Sequence, residues 1–178
     1  AIPEENVVAS EKNDGTIEET QLHMDHDIQQ EIIKYAYKVV NLYAAQDSNQ
    51  WFIDHIDVNY QPPYKLGTTV VEIELAESTT FVRVYDNLPD RSGMRGSWMM
   101  RAEEIKGLSP IEIQDKFALP NTPKYICDVE LEAGTHMRIG IANSLPDWGT
   151  GGGIQYDLMG QRIGIFKNER LIGDGKNV

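Results

Sequence analysis

Short runs of alternating and β-branched residues, separated by turns, constrain the fold of this chain more than any other feature of its sequence. The clearest are TTVVEIELAES and TTFVRVYD, which predict two strands separated by a short turn. On the second strand, Phe81, Arg83 and Tyr85 share one face, because side chains alternate along a strand. Strand-like runs do not alternate regularly with helices, so we expect a largely antiparallel sheet.

The second half of the chain adds further strands and one helix. Residues 124–143, KYICDVELEAGTHMRIGIAN, give two strand-like runs around an Ala-Gly turn and predict a β-hairpin. GIQYDL and RIGIFKNERLI supply two or three more short strands. Before them, Ser109 as N-cap, Pro110 at the first helical position and Glu112 three residues after the cap predict a helix that Pro120 ends.

The N-terminal third has a different composition. Residues 1–24 are polar and acidic and have no aromatic side chain, which is typical of a tail or linker. From Asp27, apolar residues recur at steps of three and four and predict one amphipathic helix of about five turns, ending near 47–49: Ile28, Ile32, Tyr35, Ala36, Val39, Leu42 and Tyr43. We therefore expect an α+β fold with an acidic tail or linker at 1–24, a helical part at 25–60 and a sheet-rich, catalytic domain at 61–178.

Composition excludes several function classes. A chain of 178 residues with 40% hydrophobic content is long enough for one sizeable core. Its net charge of -12 argues against a general nucleic-acid binder. Cys127 is the sole cysteine, the four histidines do not form a ligand cluster, and no apolar stretch approaches the length of a membrane helix. We therefore expect no metal site and no membrane insertion.

Four arginines lie close together in this acidic chain: Arg83, Arg91, Arg95 and Arg101. Guanidinium groups form forked, charge-assisted hydrogen bonds with phosphate oxygens. The stretch RSGMRGSW adds glycines that let the backbone approach a ligand, together with Ser97 and the flat ring of Trp98. The cluster indicates phosphate recognition, and the alternative is a solvated surface balanced by Asp86 and Asp90.

The stretch WGTGGGIQYDL places three glycines directly before a short strand. Glycine at 151–153 allows positive φ and removes side-chain bulk, so a ligand can approach the backbone. Gln155 and Asp157 then share one face of the strand, which predicts the polar edge of a site. The alternative is a glycine-rich turn followed by a strand that faces solvent.

Taken in order, DRSGMRGSWM, KFALPNTPKYICDVELEAG and WGTGGGIQYDL resemble the NAD-consuming toxin domains of bacterial polymorphic toxins, the family typified by the tuberculosis necrotizing toxin. The resemblance covers about residues 83–160, and GGGIQY is its most specific part. It implies a sheet-rich domain, distantly similar to ADP-ribosyltransferases, that cleaves NAD between nicotinamide and ribose. Tyr125 stands where the necrotizing toxin has a histidine, so hydrolysis and ADP-ribosyl transfer both stay open.

The resemblance also implies roles for individual residues. By position, Gln155 matches the catalytic glutamine and Arg91 an arginine near NAD, while Asp157 and Arg83 resemble the strand-borne acid and arginine of ADP-ribosyltransferases. Because departing nicotinamide leaves an oxocarbenium-like ribose, we expect Asp157 to supply charge and Gln155 to hold a ribose hydroxyl or water. The predicted catalytic residues are thus Gln155 and Asp157, and the predicted NAD-binding residues are Arg83, Arg91, Ser97, Trp98, Gly152 and Gly153, with Trp148 as an alternative stacking ring.

Two other function classes stay open. The arginines with Asp and Tyr partners also suit an RNase toxin domain of a contact-dependent inhibition or related secretion system, for which nucleic acid is the substrate. The acidic tail and amphipathic helix also suit a non-enzymatic immunity-type or adaptor module. For the NAD-consuming interpretation, the expected partners are NAD, an inhibitor or immunity protein and, for a transferase, a protein acceptor, and the chain is secreted or delivered into a target cell.

Overall fold

The structure, a computed structural model, describes residues 5–11, 17–88 and 92–173. Within these ranges the chain forms three α-helices, α1 (His26–Lys34), α2 (Ala45–His55) and α3 (Pro110–Phe117), and a short 3₁₀ helix at Ala102–Glu104. None of these helices has the length and apolar character that crossing a bilayer requires. The strands in the same ranges are β1 (Glu5–Glu11), β2 (Ile17–His23), β3 (Lys38–Ala44), β4 (Thr69–Glu74), β5 (Thr79–Tyr85), β6 (Trp98–Met99), β7 (Tyr125–Leu131), β8 (His136–Ile141), β9 (Ile154–Asp157) and β10 (Ile165–Leu171).

Every strand pairing in the described residues is antiparallel, which confirms the predicted α+β class. The largest sheet has the order β3-β4-β8-β9-β6, a second sheet has the order β10-β7-β5, and β1 pairs with β2. After β6, Met100 exchanges two backbone hydrogen bonds of 2.9 Å with Val82 of β5. This exchange joins the edges of the two larger sheets, and the main core contains apolar side chains from both of them.

The two larger sheets share one long antiparallel ribbon that bends in the middle. Its arms are residues 69–85, which contain β4 and β5, and residues 125–141, which contain β7 and β8. The pairing register is the same in both halves. At the bend, Gly134 donates its N–H to Leu75 O at 2.8 Å and Leu75 donates to Thr135 O at 2.9 Å. The ribbon therefore stays hydrogen-bonded as far as Leu75, and its pairing resumes in the same register at Thr79 and Leu131 in the other sheet.

The prediction of a β-hairpin within residues 124–143 is wrong. β7 and β8 do not fold back on each other but continue through the bend, and they pair with β5 and β4 instead. Four consecutive residues of β8, 137–140, are buried. A strand buried on both faces needs partners from elsewhere in the chain, so long-range pairing determines where this segment lies.

The prediction of a single helix from Asp27 to residues 47–49 is also wrong. α1 ends at Lys34, Ala36 takes a left-handed conformation with φ of 54°, and residues 38–44 form β3. β3 extends the sheet beside β4 and buries Leu42. The apolar positions in this segment fit a helix and a strand equally. The segment forms a strand because the edge of β4 offers backbone hydrogen bonds to it.

The predicted division into segments at 1–24, 25–60 and 61–178 stays a prediction. β1 and β2 form a hairpin within the first segment. β3 and β4 pair across the boundary predicted at residues 60 and 61. The second observation means that the largest sheet uses residues from both sides of that boundary.

Helix α3 begins as its sequence predicts. Glu112 donates its backbone N–H to Ser109 Oγ at 3.3 Å, and Ser109 N–H donates to Glu112 Oε1 at 3.0 Å. These two bonds form the capping box, with Pro110 at the first helical position. Ala118 then ends the helix with a left-handed φ of 49°, two residues before Pro120.

His136 gives the fold a predictable pH dependence. Its imidazole lies between two carboxylates of β4, with Nδ1 3.1 Å from Glu72 Oε2 and Nε2 3.0 Å from Glu74 Oε1. Hydrogen bonds to Glu72 and Glu74 raise the pKa of His136 above its ordinary value of 6.5. The protonated ring therefore stabilises the fold fully below that value, and this contribution is lost as the pH rises through the raised pKa.

We expect the free energy of unfolding, measured in urea, to fall between about pH 6 and about pH 9 in the wild-type protein. His136→Gln should not show this fall. His26→Gln, which changes an exposed histidine at the start of α1, is the control and should keep the wild-type slope. Equal pH slopes for wild type and His136→Gln would contradict this account.

Candidate functional site

A cleft of about 650 Å³ lies where the two larger sheets meet. Four sequence-predicted residues border it: Arg83 of β5, Trp98 of β6, Gln155 of β9 and Trp148, the alternative stacking ring. Its other walls come from the turn after α2, the end of α3 and a later loop, with residues in 57–63, 117–123 and 143–148. Most of the lining is apolar and a few polar groups face inward, which is typical of a site for a small organic ligand.

Arg83 is almost completely buried beside this cleft, with 6% of the residue exposed. Its guanidinium bonds only to backbone carbonyls among the described residues: Nε to Gly93 O and Met94 O at 3.1 Å, Nη1 to Trp98 O at 3.0 Å and Nη2 to Gly93 O at 2.9 Å. A Cβ on Gly96 would clash with the Arg83 guanidinium, so a larger residue at 96 would have to displace that side chain.

No carboxylate in the described part of the chain contacts Arg83, and burial lowers the pKa of its guanidinium. A guanidinium has five N–H donors. Nη1 and Nη2 each use one, so each keeps a second N–H without an acceptor among the residues described. A buried charge without a counter-charge is costly. Arg83 therefore places a positive charge at the wall of the cleft that no described carboxylate contacts, with two N–H donors that lack an acceptor among the described residues, while Asp57 and Asp86 border the cleft elsewhere.

Aromatic rings form the wall of the cleft next to Arg83. The indole Nε1 of Trp98 donates to the hydroxyl oxygen of Tyr60 at 2.7 Å. Phe52 lies behind both rings, with centroids 4.8 Å from Tyr60 and 5.3 Å from Trp98 in stacked arrangements. Trp148 also borders the cleft. These rings give a planar ligand flat surfaces on which to stack.

Gln155 brings the polar edge of β9 to the cleft. Its Nε2 donates to Pro63 O at 2.9 Å, which fixes the carboxamide and leaves Oε1 without a donor among the described residues. Only 7% of the residue is exposed. The carboxamide oxygen is therefore a preoriented acceptor beside the wall formed by 57–63.

Asp157 shares the strand face of Gln155, as predicted, but it does not border the cleft. It is completely buried. Arg138 donates to both carboxylate oxygens, from Nε at 3.1 Å and from Nη2 at 2.9 Å, and Met159 N–H and the Tyr64 hydroxyl donate as well. Burial, followed by the charge of Asp157, raises the pKa of Tyr64 well above its ordinary value, so its hydroxyl remains a donor. With its oxygens occupied, Asp157 holds β8 and β9 together.

The glycine run packs against its neighbours more than it opens the cleft. A Cβ on Gly151 would lie 2.2 Å from Asn143 O, and one on Gly153 would lie 2.7 Å from Phe117 Cε1. Gly151 N–H and Gly153 N–H donate to the last turn of α3, at Asp115 O and Lys116 O. These glycines let α3 approach the start of β9 closely.

Gly152 borders a different recess, of about 360 Å³. Ile154 also borders it, while Gln155 faces the larger cleft, because successive side chains point to opposite sides of β9. Glu31 of α1 lies in this recess and accepts a hydrogen bond of 2.9 Å from the Tyr156 hydroxyl. Burial raises the pKa of Glu31.

The remaining predicted residues lie elsewhere. Ser97 does not border the cleft, and its backbone oxygen accepts from Leu158 N–H at 3.0 Å. Arg91 lies outside the described residues. Among the residues that are described, no group of three or more His, Cys, Asp or Glu side chains is arranged to hold a metal ion.

No site residue was predicted within 57–63, the segment that forms one wall of the cleft. Side-chain amides fix this segment: Asn49 bonds to the backbone N–H and C=O of Tyr64 at 2.9 Å, and Asn143 donates to Pro62 O at 3.0 Å. The two prolines flanked by tyrosines were the available signal, since rigid backbone beside aromatic rings also suits a binding wall.

Comparison with known proteins adds one structural likeness. A solved structure described as "Rhs1-CT in complex with cognate immunity protein RhsI1" is similar to this chain, with a TM-score of 0.49 and 20% sequence identity over 74% of this chain and 97% of that chain. No protein-family model and no curated protein matches the chain. A likeness at this level does not establish a shared activity.

The buried pair between Asp157 and Arg138 predicts a large stability effect. Asp157→Asn leaves the Arg138 charge buried without a counter-charge, and we expect it to lower the free energy of unfolding by about 3 kcal/mol or more. Urea denaturation measures this change. Asp128→Asn, which removes a partly exposed ion pair with Arg170, is the matched control and should cost at most about 1 kcal/mol. A loss no larger than that of the control would show that the pair does not hold β8 to β9.

Proposed function

We propose that the cleft binds NAD and breaks the bond between its nicotinamide and ribose. One observation carries the proposal: Arg83 is buried at the wall of an aromatic cleft without a carboxylate partner in the described residues. A phosphate oxygen is the kind of acceptor that suits the two N–H groups of Arg83 that have no acceptor among the described residues.

The aromatic wall supports a ligand that combines phosphate with planar rings. Trp98 lies between Arg83 and Tyr60, since its backbone oxygen accepts from Arg83 and its indole donates to Tyr60. A nucleotide bound through its phosphate to Arg83 would thus have an aromatic ring within reach of its base. The mainly apolar lining suits a ligand with planar rings better than a long polyanionic strand.

The proposed reaction breaks the bond between ribose C1′ and the nicotinamide ring nitrogen. The bonding electron pair leaves with the ring, which departs as neutral nicotinamide, and the ribose develops oxocarbenium character. Water then adds its oxygen to C1′ and releases a proton to solvent, giving ADP-ribose. In a transfer reaction, a nucleophilic side chain of a protein acceptor takes the place of water.

Gln155 is the proposed catalytic residue. Its Oε1, which has no donor among the described residues, accepts a hydrogen bond from a ribose hydroxyl or from the attacking water, and its partial negative charge favours the developing cation. Asp157 enters the proposal as a positioning residue, because its pair with Arg138 fixes the strand that carries Gln155. The proposed site does not use four of the residues predicted from sequence to bind NAD: Ser97, Gly152, Gly153 and Arg91.

A toxin role and an inhibitor partner follow from the proposed chemistry. A domain that consumes NAD harms the cell that makes it, so a protein that covers the cleft is expected wherever the chain is produced, and action in a target cell requires delivery. The acceptor of a transfer reaction would be a protein of that target cell.

The proposal is tested with purified protein by calorimetry with NAD and by chromatographic detection of released nicotinamide. We expect Arg83→Gln to abolish NAD binding, and Gln155→Ala to keep binding but to lower kcat by about a hundredfold or more. Arg170→Gln and Gln161→Ala, which lie outside the cleft, are the matched controls and should behave as wild type. Because Arg83 also holds the backbone at 93–98, the melting midpoint of each variant is measured as well.

Three results would count against the proposal in different ways. Absence of NAD binding by the wild-type protein contradicts it entirely. Binding without release of nicotinamide leaves a nucleotide-binding cleft and removes the reaction. Degradation of total RNA with NAD left intact supports the nuclease alternative instead.

A further inference from the structure

Tyr60 borders the same cleft as Arg83, and its hydroxyl proton has no acceptor among the described residues. The indole N–H of Trp98 can only donate, so the oxygen of Tyr60 is the acceptor in their 2.7 Å hydrogen bond. No described residue accepts the proton of Tyr60. Burial raises the pKa of Tyr60, and the hydrogen bond from Trp98 opposes this shift, so the hydroxyl stays protonated at neutral pH. Tyr60 is therefore a hydrogen-bond donor that has no acceptor among the described residues.

Trp98 fixes the relation between Tyr60 and Arg83. Its backbone oxygen accepts from Arg83 Nη1 at 3.0 Å, and its side chain donates to Tyr60. The ring of Tyr60 stacks on Phe52 at 4.8 Å, which restricts its rotation. Both Tyr60 and Arg83 border the cleft, and each influences the pKa of the other electrostatically. Two fixed groups, each with a donor that lacks an acceptor among the described residues, thus border the same cleft.

We propose that Tyr60 and Arg83 form one anion subsite, in which the Tyr60 hydroxyl donates to an oxygen of the phosphate group that Arg83 holds. The proposal rests on nucleotide binding in this cleft and adds a ligand-binding residue to it. A phosphate group suits the subsite because its several oxygens can accept from a guanidinium and a hydroxyl together. A neutral ligand that itself carries donors would leave these groups unpaired in a buried site.

The test is calorimetry with two probes, NAD and inorganic pyrophosphate, on the wild-type protein and on Tyr60→Phe. The variant keeps the ring that stacks on Phe52 and removes only the hydroxyl. We expect the Kd of both probes to rise about tenfold, because the lost hydrogen bond is to a charged group. Tyr43→Phe removes a hydroxyl that bonds to Glu72 away from the cleft and should leave both Kd values unchanged.

The two probes separate this proposal from that of the preceding subsection. If NAD does not bind but pyrophosphate does, and Tyr60→Phe weakens it, the anion subsite stands without the NAD reaction. If the wild-type protein cleaves NAD and Tyr60→Phe binds both probes as tightly as wild type, the subsite proposal is overturned and the reaction stands. If neither probe binds the wild-type protein, both proposals are overturned.

If Tyr60→Phe has a much lower melting midpoint than the wild-type protein, a second variant is used to test the subsite. Replacement of Tyr60 by 3-fluorotyrosine keeps the ring and the hydroxyl, and fluorine makes that hydroxyl a stronger donor. Measured at mildly acidic pH, where the hydroxyl stays protonated, this protein should bind pyrophosphate more tightly than wild type. Equal or weaker binding would overturn the subsite proposal.

Discussion

The bent antiparallel ribbon of residues 69–85 and 125–141 is the constraint on which the rest of the structure depends. Because its register does not change at the bend, the position of each residue on one arm fixes its partner on the other. One arm places Arg83 in the smaller sheet, and the other places Arg138 in the larger sheet beside β9. The backbone exchange between Met100 and Val82 then brings the sheet edges together at the cleft.

Two buried arginines on this ribbon differ in how their charge is balanced. The guanidinium of Arg138 has a carboxylate matched to it, since Asp157 accepts at both oxygens, and it also stacks on Trp51 and Phe52 at 4.5 and 4.8 Å. The guanidinium of Arg83 bonds only to backbone carbonyls among the described residues, and its Cζ lies 5.9 Å from the centroid of the Tyr85 ring. Carbonyls satisfy N–H groups but bring no net charge. The charge of Arg138 is therefore balanced by Asp157 without a ligand. The charge of Arg83 would be balanced by a bound anion.

The candidate site was only partly predictable from sequence. Arg83, Trp98 and Gln155 were recognisable because arginine, tryptophan and a polar strand face each have a chemistry that does not depend on context. The burial of Asp157 was not predictable, because its partners Arg138 and Tyr64 are distant in sequence and nothing local indicates their approach. The role of the glycines depended likewise on α3, which packs against 151–153 only in the folded chain.

The sequence by itself determined the local elements: the capping box of α3, the strands from TTVVEIE and TTFVRVY, and the antiparallel α+β class. These depend on backbone preferences and side-chain alternation within a few residues. Only the tertiary structure decided that residues 38–44 form a strand, that β7 and β8 continue through a bend, and that Tyr60 comes to lie beside Trp98. Each of these outcomes depends on hydrogen-bond and packing partners supplied by distant parts of the chain, and local propensity carries no information about those partners.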